Sequence, residues 1–369
     1  MRDTDPTSNL EPDLASWLRL AQTPGVGRIT AANLLREFGT PGAIFSAGVA
    51  QLSTCVTPAQ ARALCAPIAP DTARAIDTTR AWLERPGNRV LTLHGAGYPS
   101  LLAEIPDPPL LLYISGRANL LQGAALAIVG SRNASVQGQA NARAFARALS
   151  EAGLTVVSGL ALGIDTAAHD GALHGCASTV AVIGTGADRI YPSRNAALAR
   201  RIAQDGCMVS EYPLGTPPRP EHFPQRNRII SGLAAGVLVV EAAAGSGSLI
   251  TARMALEQGR DVFALPGSIH AALSKGCHQL IREGAQLVES VDDVLLALSM
   301  APLIRAAQPA TQVKTSPLLD LLGTDPMHID AILRLGTLSA SALAAELLAL
   351  ELAGMVTRLP GGMLQRVHA

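Results

Sequence analysis

Lysine is almost missing from this chain: of its 29 basic residues only Lys275 and Lys314 are lysines, and the rest are arginines. Charge of either sign is scarce. Charged residues make up 16% of the 369 positions, against roughly 25% in ordinary soluble domains. The 29 basic residues are matched by 29 acidic ones, which excludes a globally basic protein that coats nucleic acid through bulk charge. A zero total still permits a local basic patch, because a sum hides its distribution. Aromatics reach only 3%, so the core must be built from Ala, Leu, Val and Ile. The cysteines (Cys55, Cys65, Cys176, Cys207, Cys277) contain no C-x-x-C pair. Their odd number and their spacing fit neither a disulfide framework nor a zinc site. The start, MRDTDPTSNLEPDL, shows no basic-then-apolar signal peptide. No uncharged stretch runs long enough, unbroken by Gly, Pro or polar residues, to read as a membrane span. The expectation is a cytoplasmic protein.

What is present is length and apolar content. At 369 residues and 48% apolar, the chain fits two or three domains with a sizeable core. Residues 1–13 read as a polar tail. Residues 14–85 read as a helical domain, beginning with LASWLRLAQ (14–22), the turn Pro24-Gly25-Val26-Gly27 and a helix from about Ile29 to Phe38. Residues 86–122 are extended and proline-rich, awkward by periodicity alone. From Ala124 onward, apolar runs with little or no charge alternate with helical patterns: ALAIVG (125–130), LTVVSG (154–159), TVAVIG (179–184), CMVSEY (207–212), VLVVEA (237–242) and DVFALPG (261–267). Strands buried on both faces look like this, so 86–300 reads as an α/β domain with a doubly wound parallel sheet. Residues 301–316 read as a linker. Residues 317–369, helices followed by the Gly-Gly hairpin TRLPGGMLQRV, suggest a winged helix.

Candidate chemistry sits at the strand ends, where open α/β sheets bind ligands. Gly130-Ser131-Arg132 follows the first run and precedes a helix from about Val136. Its glycine permits close approach, and Ser131 and Arg132 supply a hydroxyl and a fork for phosphate at a helix N-terminus; it reads equally as a plain β–α turn with a surface arginine. Ser158 to Gly163 ends the second run, with Asp165 and His169 beyond it, a spacing that suits a helix cap and a satisfied histidine better than a metal or acid–base pair. Gly184-Thr185-Gly186 lacks the third glycine of a dinucleotide fingerprint. Gly245-Ser246-Gly247-Ser248-Leu249-Ile250-Thr251 has the texture of a phosphate cradle, or of a capped helix after a flexible loop, but not the Gly-Lys-Ser/Thr ending of a P-loop. Four strand ends of this kind carry more weight than any one.

Between Arg189 and Arg228 seven arginines (Arg189, Arg194, Arg200, Arg201, Arg219, Arg226, Arg228) face three acids, with Tyr191, Tyr212 and Phe223 interleaved. Arginines that track phosphates and rings that stack on bases are the ingredients of single-strand binding; a solvated face with buried rings is the alternative. FPQRNRIIS (223–231) is its sharpest part, with Arg226, Asn227 and Arg228 placed near a helix N-terminus. The glycine turn Gly25–Gly27 with Arg28 resembles a helix-hairpin-helix element that could meet duplex phosphates weakly, or an ordinary packing hairpin. The last unit has three arginines against five acids, which suits protein contact better than DNA reading.

VGSR (129–132), SGLALGIDTAAH (158–169), VIGTGADRIYP (182–192), SEYPLG (210–215), FPQRNRIISGL (223–233), EAAAGSGSLITARMALEQGR (241–260) and FALPGSIH (263–270) together closely resemble the DNA-processing protein DprA (Smf) family, in order and over nearly the whole chain. The resemblance implies an extended Rossmann-like fold flanked by a helix-hairpin-helix-like (SAM-like) domain and a winged-helix-like domain. It implies single-stranded DNA binding, homodimers and delivery of strands to the recombinase RecA during natural transformation, with no catalytic residue, cofactor or metal. By motif, Arg132 becomes a principal phosphate contact. Gly130, Ser131, Gly163, Phe223, Arg226, Asn227, Arg228, Ser246, Ser248 and Thr251 become its companions. Many relatives carry a lysine after the Tyr-Pro pair; here Ser193 and Arg194 follow it, and Arg194 is the candidate replacement. The rival expectation is an enzyme hydrolysing nucleoside monophosphates with Glu241 or Glu257 as acid or base; a third is a nucleotide-sensing regulator without DNA contact.

Overall fold

An uncharged run is suited to burial on both faces, and the runs after Ala124 are used that way. The computed structural model describes residues 11–300, 316–322, 326–335 and 339–367. Six helices come first: α1 (Glu11–Gln22), α2 (Arg28–Phe38), α3 (Pro41–Ser46), α4 (Val49–Leu52), α5 (Pro58–Cys65) and α6 (Pro70–Leu83). Pro41, Pro58 and Pro70 open their helices, where a missing N–H costs nothing. Then follow β1 (Asn88–Thr92), α7 (Ser100–Ala103), β2 (Leu111–Gly116), β3 (Ala125–Val129), α8 (Val136–Glu151), β4 (Thr155–Ser158), α9 (Ile164–Ala172), β5 (Thr179–Val182), α10 (Ala196–Asp205), β6 (Cys207–Ser210), α11 (His222–Gly232), β7 (Gly236–Val239), α12 (Ser248–Glu257), β8 (Asp261–Ala264), α13 (Lys275–Arg282), β9 (Gln286–Leu287) and α14 (Val291–Ala297).

The nine strands form one sheet in the order β1-β2-β6-β5-β4-β3-β7-β8-β9. It is not wholly parallel: β1 pairs β2 antiparallel and β2 pairs β6 antiparallel, while the other pairs are parallel. β1 and β2 occupy the proline-rich stretch that resisted a periodic reading. The chain grows outward from β3 to β6, then returns to place β7 on the other side of β3. The switch point, where a crevice opens at the carboxyl ends of the strands, therefore lies between β3 and β7.

Every residue of β3 to β7 is buried. One core, including Leu18, Leu34, Trp82, Leu112, Val180 and Val237, runs continuously from the N-terminal helices into one side of the sheet. Trp82 and Tyr113 meet there edge to face, 5.9 Å between centroids, a favoured aromatic geometry. On the other side α8, α9 and α14 pack through Ala142, Ala146, Leu149, Ile164, Ala168 and Leu295. The low aromatic content is thus met by alanine and small aliphatics, which bring helices close to the sheet.

The C-terminal unit holds α15 (Pro317–Leu321), β10 (Met327–His328), α16 (Ile329–Arg334), α17 (Ala340–Leu352), β11 (Val356–Leu359) and β12 (Met363–Arg366). Its strands order as β10-β12-β11, all antiparallel, and it has its own core of Leu318, Leu322, Ile332, Leu343, Leu347, Val356 and Leu364. Helices followed by this hairpin make a winged helix. Residues 1–10 of the polar tail and 301–315 of the linker lie outside the described residues. Among the described residues no helix is long and apolar enough to cross a membrane.

Candidate nucleic-acid interface

A cleft of about 520 Å³ opens at the switch point. Its walls are the loop after β3 (Gly130–Asn133), the loop after β7 (Ala243–Ser248) with the start of α12, and the first turns of α11, while Ala161 and Asp165 border it from the loop after β4. Gly130, Ser131, Arg132, Phe223, Arg226, Asn227, Ser246, Ser248 and Thr251 all line it. Topology alone brings these four segments together.

The loop after β4 is the most strongly constrained piece of the site. Asp165 accepts from the backbone N–H groups of Gly159 (3.1 Å) and Ala161 (3.3 Å). His169 Nε2 accepts from Leu160 N–H at 3.2 Å. Asn195 Nδ2 donates to the carbonyl of Leu160 at 2.9 Å, and Arg226 Nη1 donates to that of Gly159 at 2.7 Å. Leu160 is held at φ +59°, a left-handed conformation that a leucine adopts only when its surroundings impose it. Gly163, at φ +79°, passes so near the β3 loop that a Cβ would stand 2.3 Å from the Ser131 carbonyl oxygen. Gly163 therefore backs the site and does not line it.

His169 is the satisfied histidine that its spacing suggested. Thr179 Oγ1 donates to Val156 O (2.6 Å), so it accepts from His169 Nδ1 at 2.7 Å. With Nε2 accepting, the ring is the neutral Nδ1–H tautomer. Burial, then the Arg226 charge, pull its pKa down to about 3. Burial pushes the Asp165 carboxyl up, opposed first by Arg226. Among the described residues no group of three or more His, Cys, Asp or Glu is placed to hold a metal ion.

Two arginines face the cleft in opposite conditions. Arg226, 4% exposed, forms part of its floor. Besides Gly159 it donates to the Val182 carbonyl, and its Nε has no partner. Burial lowers its pKa to about 10, with Asp165 opposing, so it remains a cation at neutral pH. Arg132 is exposed. Among the described residues it makes no hydrogen bond or ion pair, and its guanidinium carbon lies 5.9 Å from the Phe223 ring centre. Phe223 in turn packs on Tyr191 at 5.4 Å and a tilt of 38°, and Tyr191 is 46% exposed. The only carboxylate among the lining residues, Asp165, is occupied by backbone N–H groups. The cleft offers cations to an anion, and the Phe223 ring to an apolar or stacking group.

Helix ends contribute unequally. At α8 the anion seat is already filled: Glu241 accepts from Ser135 N–H at 2.9 Å and from the Ser135 hydroxyl, while Ser135 caps the helix through Gly138 N–H at 2.9 Å. The expectation of free N–H groups behind Arg132 is corrected accordingly, because an internal carboxylate takes the dipole's positive end. The ends of α11 and α12 carry no side-chain cap, and Ser246 and Ser248 pair at 2.8 Å at the mouth of α12.

Three expected contacts lie elsewhere. Arg228 is 5% exposed; successive helical positions diverge, so it faces away from the cleft and pairs with Asp107 (2.9 Å) and Glu211. Arg194 is exposed on a single 3₁₀ turn outside the lining residues; its neighbour Asn195 does the work of holding the β4 loop. Arg28 is drawn to Asp107 (3.4 Å) and Glu211 (3.7 Å), and Gln60 caps the Gly25 carbonyl at 2.7 Å. Gly25 and Gly27 themselves stay exposed, while the Arg28 guanidinium is engaged by these two carboxylates. The arginine excess of 189–228 also divides: Arg226 and Arg228 are buried, Arg201 pairs with Asp170 at 3.0 Å, and Arg189, Arg194, Arg200 and Arg219 are exposed. For the hydrolase reading, Glu241 is spent on α8 and Glu257 stands exposed at the far end of α12, outside the cleft.

Comparison with known proteins adds to this geometry. Residues 89–299 match the family described as DNA recombination-mediator protein A, and residues 301–362 match the DprA winged helix domain. The chain belongs to the DprA family. It is 41% identical over 300 residues to protein Smf of Escherichia coli K12, covering 78% of this chain and 80% of that one. The X-ray structure of DprA from Streptococcus pneumoniae superposes with a TM-score of 0.65 at 40% identity, covering 76% of this chain and 97% of that chain. A DprA structure from Helicobacter pylori, described as giving insight into a single-stranded DNA binding mode, superposes at 0.52 with 31% identity, covering 57% and 96%.

Proposed function

We propose that this DprA family member binds single-stranded DNA in the switch-point cleft and passes it to the recombinase RecA, protecting incoming strands during natural transformation. It acts without catalysis, in the cytoplasm and as a homodimer. The observation that carries the binding role is Arg132, a guanidinium without a hydrogen-bond or ion-pair partner among the described residues, beside the Phe223 ring at the mouth of a cleft whose floor is a second cation. An exposed arginine fork beside uncapped helix ends suits phosphate. Phe223 and Tyr191 supply ring faces that any base can stack on. The Helicobacter pylori relative, a protein studied for its single-strand binding mode, supports the same reading.

Phosphates are expected to run past Arg132 and over the starts of α11 and α12, with little sequence preference and strong salt dependence. The RecA step is tested by pulling down the host recombinase with the protein, with and without single-stranded DNA. Capture that strengthens with the strand supports loading; no capture in either case contradicts it. Incubation with nucleoside monophosphates separates the hydrolase reading, since base release abolished by Glu241→Gln would replace this function. A fluorescence titration with mononucleotides in place of DNA tests the sensor reading.

A further inference from the structure

Behind the cleft, four charges from distant parts of the chain close into a ring. Arg28 begins α2, Asp107 lies in the Asp-Pro-Pro segment before β2, Glu211 follows β6, and Arg228 is on α11. Asp107 Oδ2 is shared by Arg228 Nε at 2.9 Å and Arg28 Nη2 at 3.4 Å. Glu211 Oε2 is likewise shared by Arg228 Nη2 and by Arg28 Nη1 at 3.7 Å. The signs alternate and sum to zero. The inner pair is deeply buried, with side-chain exposures of 6% for Arg228 and 5% for Glu211, whereas Arg28 is 38% exposed.

Such a ring is a poor device for stability. Desolvating four charges is costly, and apolar side chains of similar volume often replace buried ion pairs without loss. Glu211 Oε1 and Arg228 Nε and Nη1 remain buried without hydrogen-bond partners, Nε meeting Asp107 as an ion pair only, so the cluster is incompletely satisfied as well. What it does supply is direction, because forked guanidiniums fix angles as well as distances. The part it directs is α11: Arg228 faces the ring, and two residues earlier Arg226 faces the cleft with Phe223 and Asn227.

We infer that Arg28 is a positioning residue for the cleft: by bridging Asp107 and Glu211 it holds Arg228, and with it α11, in the orientation that presents Phe223, Arg226 and Asn227. This rests on the proposed reading of the cleft as a single-strand site. The N-terminal helical domain thereby sets the binding helix without touching the strand.

The test titrates a fluorescent single-stranded oligonucleotide at several salt concentrations with four full-length proteins: wild type, Arg28→Gln, Asp107→Asn and the double variant. Thermal melts confirm that each is folded. Positioning predicts that both single changes weaken binding about fivefold, although they remove opposite charges. The double variant loses no more than either single one, and the salt slope stays unchanged. If Arg28 touched phosphate directly, Arg28→Gln would lower the slope by about 0.7, Asp107→Asn would tighten binding, and the inference would be overturned. Single variants that bind as wild type does would overturn it too. If wild type itself fails to bind, the functional reading falls and takes this inference with it.

Discussion

Arg226 Nη1 lies 2.7 Å from the carbonyl oxygen of Gly159, so the helix that floors the cleft and the loop after β4 form one mechanical unit. The guanidinium fits only because residue 159 is glycine; a Cβ there would stand 2.3 Å from Nη1. Arg226 is therefore both a cation facing the cleft and a strut beneath it.

Arg226→Met is expected to lower stability by about 3 kcal/mol, since it leaves the buried Asp165 charge without its nearby cation and the Gly159 carbonyl without a donor. Urea unfolding of wild type and variant measures the difference. Oligonucleotide affinity falls in the same protein, because the β4 loop loses one of its ties.

Gly163→Ala is expected to cost about 2 kcal/mol or more, from a left-handed φ and from a methyl forced against the Ser131 carbonyl. Thermal melting reports the loss. The β3 loop that carries Arg132 is displaced by the same clash, so the affinity for single-stranded DNA drops as well.

Acid weakens the fold through His169. Its pKa is near 3 in the folded protein and about 6.5 when unfolded. Between those values the unfolded chain binds a proton that the folded chain refuses, so stability is full above about pH 6.5 and declines as pH falls toward 3. The slope from this one group approaches about 1.4 kcal/mol per pH unit. His169→Gln is expected to be less stable at pH 7 yet flatter through that window. Equal slopes in the two proteins would show that the imidazole is not held neutral.

Tyr191→Ala is expected to weaken oligonucleotide binding by about 1 to 3 kcal/mol, the range for one stacked base, while Tyr191→Trp retains it. An oligonucleotide of abasic sites distinguishes the cause. It should bind both proteins equally if Tyr191 stacks on a base.

Much of the fold was legible because burial on both faces writes itself as apolar runs with little charge, and β3 to β8 coincide with those runs to within one residue. The two antiparallel strands β1 and β2 were not, because β1 carries Arg89 and the approach to β2 is broken by Pro106, Pro108 and Pro109. In the site, glycine and serine at strand ends mark where backbone must come close, and the residues at 130–132 and 246–251 do meet in one cleft. Partner choice over long separations leaves no local trace. Nothing near Arg28 points to Asp107, 79 residues on, and nothing near Glu241 points to Ser135, 106 residues back. Asn195 was overlooked for a related reason: an asparagine beside an arginine reads as the lesser group until the Leu160 and Ala161 carbonyls appear in front of it.

Arg132 makes no hydrogen bond or ion pair among the described residues and meets only the Phe223 ring, and the partner proposed for it is a phosphate. A fluorescence-anisotropy titration of a single-stranded oligonucleotide with wild type and Arg132→Ala, repeated across salt concentrations, tests it most directly. Wild type is expected to bind in a salt-dependent way, the variant much more weakly with a salt slope lower by about 0.7, and the two melting temperatures to agree because an exposed side chain without a hydrogen bond or ion pair adds little stability. Full binding by Arg132→Ala, or no binding by wild type at low salt, would contradict it.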